Sequence, residues 1–117
     1  MSIQLTKESD AMICVLYKEY LSRRKSGKLL EKSLCIGDDT YIQERLTPKL
    51  PLDDVTELCL SLERKELLYC IPGDNRASCV TFTDDGIIYM ENRFKNKLES
   101  VLNYLSKITS LLPIPFV

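Results

Sequence analysis

At 117 residues, the chain has room for one domain and not for two domains of ordinary size. Hydrophobic residues make up 44% of it and charged residues 28%, a balance typical of a globular protein, which excludes a disordered chain. The net charge of −1 excludes a strongly basic nucleic-acid binder, although a local basic patch is compatible with it.

The start of the chain and its apolar runs bear on localisation. No secretory signal is recognisable there, because the charged residues Lys7, Glu8 and Asp10 follow a short mixed stretch at once. No run approaches the roughly 18 apolar residues of a membrane span. We therefore expect a cytoplasmic protein without an integral membrane segment.

The cysteine, histidine and glycine content indicates which chemistry to expect. Five cysteines are scattered without a CxxC pair, and the chain has no histidine. This pattern favours buried, reduced thiols, with a disulfide between Cys70 and Cys79 as the open alternative, and it predicts no metal site. Without histidine or a glycine-rich phosphate loop, we expect neither an enzyme nor a bound cofactor. Helix capping explains the acid pairs at 38–39, 53–54 and 84–85.

The first predicted helix begins near Thr6 or Ser9 and ends around Gly27. Apolar residues at helical spacing predict that this helix buries one face. Two interpretations are open for its basic end: the cations suit the C-terminal dipole on a solvated face, or they contact phosphates. The residues concerned are Arg23, Arg24, Lys25 and Lys28, with Lys32 just beyond.

Two further helices are predicted between the first helix and residue 66. The stretch 29–36 is ambiguous, and a short helix is predicted over 40–46. A third helix begins at about Leu52, directly after Pro51, and runs to about Glu66. With its apolar face inward, its outward positions are Asp53, Asp54, Thr56, Glu57, Leu60, Ser61 and Arg64.

A β-hairpin and a long helix complete the chain. The β-forming runs 67–71 and 79–83 flank a polar tip, PGDN, whose residue types favour a chain reversal. Thr83 is expected to cap a single helix over about 84–110, with acidic residues in its first turn.

A heptad pattern of apolar residues runs along this last helix. It favours a symmetric homodimer, and the alternative is that the helix folds back onto the first helix of its own chain. Three explanations stay open for the apolar tail 111–117: it covers the domain, crosses to a partner chain, or touches a membrane surface. The heptad residues are Phe94, Leu98, Val101, Leu105, Ile108 and Leu112.

The order of these elements resembles the winged helix-turn-helix family. The matching segments are LERKELLYCI, the wing tip PGDNRAS, and VTFTDDGIIYME, which is similar to the strand-to-helix LTxxG passage of many winged-helix proteins. The resemblance covers about residues 8–92 and extends to small bacterial winged-helix proteins of unknown function with an added C-terminal helix. It implies an α+β, mainly α fold with three helices and a two-stranded wing over 1–92. Residues 93–117 then form a C-terminal helix and tail of the same domain.

In that family the third helix enters the major groove of DNA and the wing touches the backbone or the minor groove. The resemblance therefore implies a DNA-binding transcriptional regulator that acts as a dimer. The alternative is a protein–protein interaction module that has lost DNA binding, because the outward face of the third helix is acidic and phosphates repel carboxylates. The residues expected to contact DNA are Arg23, Arg24, Lys25, Lys28, Thr56, Ser61, Arg64, Asn75 and Arg76.

Overall fold

Helix α1 spans Lys7–Lys25 and forms the centre of the fold. Residues 11–17 are completely buried, so neighbouring elements cover this helix all round, and the prediction of a single buried face is wrong. The predicted ends are confirmed. The Thr6 hydroxyl accepts a hydrogen bond from the Ser9 backbone N–H at 3.1 Å, and Gly27 adopts a φ of 91° just beyond the helix.

The computed structural model describes residues 3–71, 73 and 75–116. The fold is α+β and mainly helical, as predicted. The short helix over 40–46 and the helix that begins at Leu52 are both confirmed. In chain order, the elements after α1 are α2 (Leu30–Leu34), β1 (Cys35–Gly37), α3 (Asp39–Arg45), α4 (Leu52–Arg64), β2 (Leu68–Ile71), β3 (Ser78–Phe82), α5 (Asp84–Phe94) and α6 (Leu98–Thr109).

Three antiparallel strands form one sheet in the order β1-β3-β2. The predicted hairpin is confirmed, since β2 pairs with β3 and Tyr69 lies opposite Thr81. Strand β1 begins in the stretch that the sequence left ambiguous. It pairs with β3 on the side away from β2, and Cys35 lies opposite Thr81 there. The sheet therefore has one strand more than the two that were predicted.

The tip of the hairpin is described in part. Gly73 and Asn75 have φ values of 151° and 56°, the positive range expected for a reversal. Pro72 and Asp74, which belong to the same predicted turn, lie outside the described residues. The five cysteines are free thiols, so the alternative of a disulfide across the hairpin is not found.

The passage from β3 to α5 packs tightly against the end of α4. Thr83 caps α5 as predicted, because its hydroxyl oxygen accepts from the Gly86 N–H at 2.9 Å. The same hydroxyl donates to the Glu66 carbonyl at 2.7 Å. A Cβ atom at Gly86 would lie 2.1 Å from the backbone oxygen of Leu67, so only glycine allows α5 to approach this closely.

Gly86→Ala is expected to lower the free energy of unfolding by about 1–3 kcal/mol, because the new methyl group overlaps a backbone oxygen. Urea unfolding followed by circular dichroism measures the change. The control is Ser106→Ala on the exposed side of α6, for which we expect less than about 0.5 kcal/mol. A Gly86→Ala protein as stable as the wild type would contradict the close packing.

The prediction of one continuous helix over 84–110 is wrong. Helix α5 ends at Phe94, and Lys95 and Asn96 adopt left-handed backbone conformations with φ values of 50° and 61°. The Asn96 side chain is held there, because its Oδ1 accepts a hydrogen bond from the Tyr17 hydroxyl of α1 at 2.9 Å. The break turns α6 back onto α1, and the two helices are in contact.

The heptad residues of α6 pack within their own chain. Val101 is completely buried, and Leu105 and Ile108 are each 6% exposed. The structure shows the fold-back alternative, in which the chain itself covers these side chains, whereas a dimer seam needs them at the surface. The homodimer stays a prediction. The other predicted members also pack inward: Phe94 is buried, and Leu98 and Leu112 are half-buried.

The apolar tail covers the domain, which is one of the three explanations that the sequence left open. Phe116 is 2% exposed and belongs to the core. Leu111 remains at the surface, 65% exposed, and Val117 lies outside the described residues.

A polar cluster joins α1, α5 and α6. Arg93 Nη1 lies 2.6 Å from Asp10 Oδ1, and the Tyr104 hydroxyl donates to Asp10 Oδ2. The guanidinium carbon of Arg93 also lies 4.9 Å from the ring centroids of Phe94 and Tyr104. Burial and the hydrogen bond to Asp10 raise the pKa of Tyr104 to about 12, so its hydroxyl remains a donor at neutral pH.

Leu105→Ala is expected to lower the free energy of unfolding by about 2–4 kcal/mol, because it opens a cavity between α6 and α1. The control is Leu102→Ala on the exposed side of the same helix, with an expected change of less than about 0.5 kcal/mol. Denaturant unfolding measures both free energies, and light scattering should give the mass of one chain throughout. A wild type of twice that mass, which Leu105→Ala converts to single chains, would restore the dimer seam.

Candidate interaction surfaces

The outward face of α4 is acidic. Its exposed charged residues are three carboxylates, Asp53, Asp54 and Glu57, and one guanidinium, Arg64, which together leave a net charge of −2. Arg64 Nη2 lies 2.7 Å from Glu57 Oε2, and the two side chains are 62% and 64% exposed. A pair this exposed contributes at most about 1 kcal/mol. Ser61, another predicted DNA contact, is half-buried on the same helix.

Thr56 does not lie on this outward face, which corrects the prediction from helical spacing. The residue is 7% exposed, and its hydroxyl donates to Asp39 Oδ2 of α3 at 2.6 Å. Helices α3 and α4 pack against each other at this point. A DNA contact through the Thr56 hydroxyl would require the two helices to separate.

Arg76, which follows the hairpin tip, binds the same carboxylate. Its Nε and Nη2 lie 2.9 and 3.0 Å from the two oxygens of Asp39, which makes the pair bidentate. The Asp39 side chain is 3% exposed and that of Arg76 is 44% exposed. Moving Arg76 to a phosphate would leave the buried Asp39 carboxylate with only its hydrogen bonds from Thr56 and Ala77, which disfavours such a move. Asn75 beside it is exposed and carries no charge.

The acid pair at 38–39 has a different role from the capping that the sequence suggested. Asp38 occupies the N-cap position of α3, but its side chain makes no capping bond. Its Oδ1 instead accepts a hydrogen bond from the Cys79 N–H at 2.8 Å. Asp39 Oδ2 accepts from the Ala77 N–H at 3.4 Å. Both carboxylates therefore fasten α3 to the start of β3, and the capping explanation is wrong for this pair.

The hydrogen bonds of Asp39 determine its ionisation. Burial raises the pKa of the Asp39 carboxyl, but the bonds from Arg76, Thr56 and the Ala77 N–H outweigh it, and the pKa falls to about 2. The carboxylate consequently stays charged well below neutral pH, and it stays bound to Arg76.

This lowered pKa predicts a loss of stability in acid. Folding lowers the pKa of Asp39 from 3.8 to about 2, so its contribution is complete above about pH 5 and is lost as the pH falls through 3.8 towards 2. Asp39→Asn should lower the free energy of unfolding by about 1–3 kcal/mol at neutral pH and should lack this pH dependence. Urea unfolding of both proteins at neutral and acidic pH measures the difference between them.

The control for this experiment is Glu57→Gln, which breaks the exposed pair with Arg64 and should change the free energy of unfolding by less than about 1 kcal/mol. The account of Asp39 would be wrong if the stability difference between the wild type and Asp39→Asn stayed constant down to about pH 2.

Arg23 is turned inward at the end of α1. Its guanidinium donates to the carbonyl oxygens of Cys35 at 2.9 Å and Ile36 at 3.0 Å, and its Nε lies 2.8 Å from Glu19 Oε2. The side chain is 11% exposed. Arg23, which the charge run suggested as a phosphate contact, thus binds the backbone of β1 just after α2 ends.

The other cations of this region lie on a surface that is basic and apolar at once. Within the described part of the chain, none of its cations pairs with an acid. Glu31 is exposed beside them, so four cations and one acid leave the exposed charges of 24–32 at +3. Leu29 is 72% exposed and Leu30 is 50% exposed. This surface, called the α2 surface below, consists of Arg24, Lys25, Lys28, Leu29, Leu30 and Lys32.

A groove opens beside the α2 surface, between α1, α2 and α5. It has a volume of about 310 Å³, and among the described residues that line it Asp84 is the one with a charged side chain. Ile88 on the α5 side is 53% exposed. Sequence reasoning missed this groove, because the stretch 29–36 was ambiguous and the predicted helix over 84–110, which includes Ile88, was not expected to lie beside it. The lining of this α2–α5 groove is Tyr20, Leu30, Leu34, Asp84, Ile87 and Ile88.

Other kinds of site were sought in the residues that the structure describes. No three side chains of His, Cys, Asp or Glu are grouped there so that they could hold a metal ion. Every buried side-chain nitrogen or oxygen in that part of the chain has a hydrogen-bond partner. None of the described helices combines the length and the apolar character needed to cross a membrane.

Comparison with protein-family models, with curated proteins and with solved structures finds no match for this chain. Its function is therefore inferred from its own residues and contacts.

Proposed function

We propose that the chain is a protein-interaction module on a winged-helix scaffold, and that it does not read DNA with α4 and the hairpin. The state of Arg76 carries this proposal, because its guanidinium binds the buried Asp39 through two hydrogen bonds, whereas Arg64 forms only an exposed pair with Glu57. The exposed charges of α4 leave its outward face negative. Such a face repels phosphates and releases few counterions from DNA.

The order and packing of the elements support the scaffold part of the proposal. Helices α3 and α4 precede an antiparallel hairpin, and α5 begins directly after β3, as the resemblance implies. Helix α4 contacts both α1 and α3, so three helices pack together next to the sheet. Strand β1 and the divided C-terminal helix are additions to the pattern read from the sequence.

DNA binding by a transcriptional regulator is the second candidate, and one observation favours it. Lys25 and Lys28 are exposed and form no ion pair with a described residue, which leaves them available to phosphates. Arg24 is also exposed, and its Nη1 donates to the Lys28 carbonyl at 3.0 Å. This candidate ranks second because Leu29 and Leu30 stand among these cations, and a phosphate backbone does not cover apolar side chains.

Fluorescence anisotropy with a labelled duplex of mixed sequence tests the two candidates. We expect no saturable binding at micromolar protein. Binding through about six phosphates would instead weaken about 10³-fold when the salt concentration rises from about 50 to 200 mM. If Arg64→Ala and Arg76→Ala each abolish such binding while circular dichroism shows that the variants are folded, α4 and the hairpin do read DNA. If a variant with Lys25→Ala and Lys28→Ala abolishes it, the second candidate is correct.

The protein partner is tested by reversible crosslinking in the cells that make the chain, followed by nuclease treatment and affinity purification. We expect a protein recovered in a constant ratio to the chain, and we expect nuclease to leave that ratio unchanged. An unrelated domain of similar size and charge is the control bait. Recovery of nucleic acid without a protein partner would contradict the proposed function.

A further inference from the structure

We propose that the α2–α5 groove and the adjoining α2 surface bind an acidic, amphipathic helical segment of a partner protein. The inference rests on the proposed protein-interaction function, and it adds the surface that is used and the chemistry of the partner.

The shape of the groove suits apolar side chains that enter from a helix. Its walls are α2 and α5, and Leu30 and Ile88 on these walls are 50% and 53% exposed. Its volume of about 310 Å³ is enough for a few side chains and too small for a folded domain. An amphipathic helix that places apolar residues at i, i+3, i+4 and i+7 fills grooves of this kind.

The charges around the groove select the polar face of that helix. The four exposed cations of the α2 surface adjoin the groove through Leu30 and do not line it. Against Glu31 they leave this surface at +3, and they form no ion pair with a described residue. Carboxylates on the side of the bound helix that faces α2 would complement them. Asp84 lies at the opposite lip, so an acidic residue is disfavoured there, and the charge pattern sets the orientation of the segment.

Other occupants fit these observations less well. A membrane surface takes up side chains that project from a protein, as Leu29 does. It would not fill the groove, because Tyr20, Leu34 and Ile87 line a recess. DNA would leave the exposed leucines uncovered. A second copy could offer its acidic helix α4, but the apolar side of α4 is buried in its own core through Val55, Cys59 and Leu62.

Two synthetic helical peptides with identical leucine positions, one with glutamate and one with lysine at the flanking positions, serve as probes in an NMR titration of the full chain. We expect the glutamate peptide to bind at least about tenfold more tightly than the lysine peptide at low salt. Its chemical-shift changes should be confined to α2, α5 and the neighbouring turn of α1.

Matched variants locate the contact. Leu30→Ser should weaken the glutamate peptide about tenfold or more, whereas Leu111→Ser, at a site 65% exposed outside the groove, should leave it unchanged. Lys28→Glu combined with Lys32→Glu should reverse the preference towards the lysine peptide. Each of these substitutions is at an exposed position, and circular dichroism checks that the variants are folded.

Several results would overturn the proposal. These are equal binding of the two peptides, shift changes on α4 instead of the groove, and no peptide binding. Binding to vesicles of anionic lipid or to DNA that Leu30→Ser abolishes would assign the surface to that ligand instead. A doubled mass that Leu30→Ser halves would assign it to a second copy.

The outcome for the groove is separable from that for the proposed function. If the protein captured from cells binds Leu30→Ser as well as the wild type, the groove proposal fails and the protein-interaction function stands. If only nucleic acid is captured, the proposed function itself fails.

Discussion

The complete burial of α1 is the constraint on which the rest of the structure depends. Residues 11–17 are 0% exposed, and each large apolar side chain buried in this way contributes about 1.5–3 kcal/mol. No single neighbour can enclose a helix, so α2, α4 and α6 all pack against α1. The chain after the hairpin must therefore return to α1. The left-handed residues Lys95 and Asn96 divide the last helix and make that return possible.

Three arginines connect the elements that surround α1. Arg23 joins the end of α1 to the start of β1, Arg76 joins the hairpin to α3, and Arg93 joins α5 to α1 through Asp10. In each contact at least one partner is largely buried. Removing one member of such a contact lowers the stability far more than removing one member of an exposed pair such as Arg64 with Glu57. These cations therefore hold elements in place, and a count of charges along the chain overstates what the surface offers to a polyanion.

The charges that do reach solvent are separated by sign. Helix α4 presents a negative face, whereas the α2 surface is positive and lies beside exposed leucines and the α2–α5 groove. A net charge of −1 conceals this separation. A surface that combines cations with an apolar recess matches an amphipathic acidic helix better than it matches a phosphate backbone. Our proposal of a protein partner rests on this combination.

The sequence by itself determined those local elements that caps, prolines and β-forming runs mark, because these signals act on near neighbours: Thr6 and Thr83 cap their helices, and the hairpin pairs as predicted. Heptad spacing identified the buried side of α6 but not its partner, since periodicity specifies a face and not what covers it. Hydrogen bonds to residues far along the chain orient three of the predicted DNA-contacting side chains. The partners of Thr56, Arg23 and Arg76 lie 17, 12 and 37 positions away. The candidate groove likewise joins residue 20 to 30–34 and 84–88. Only the tertiary structure decided which charges and leucines face solvent, because their surroundings come from elements remote along the chain.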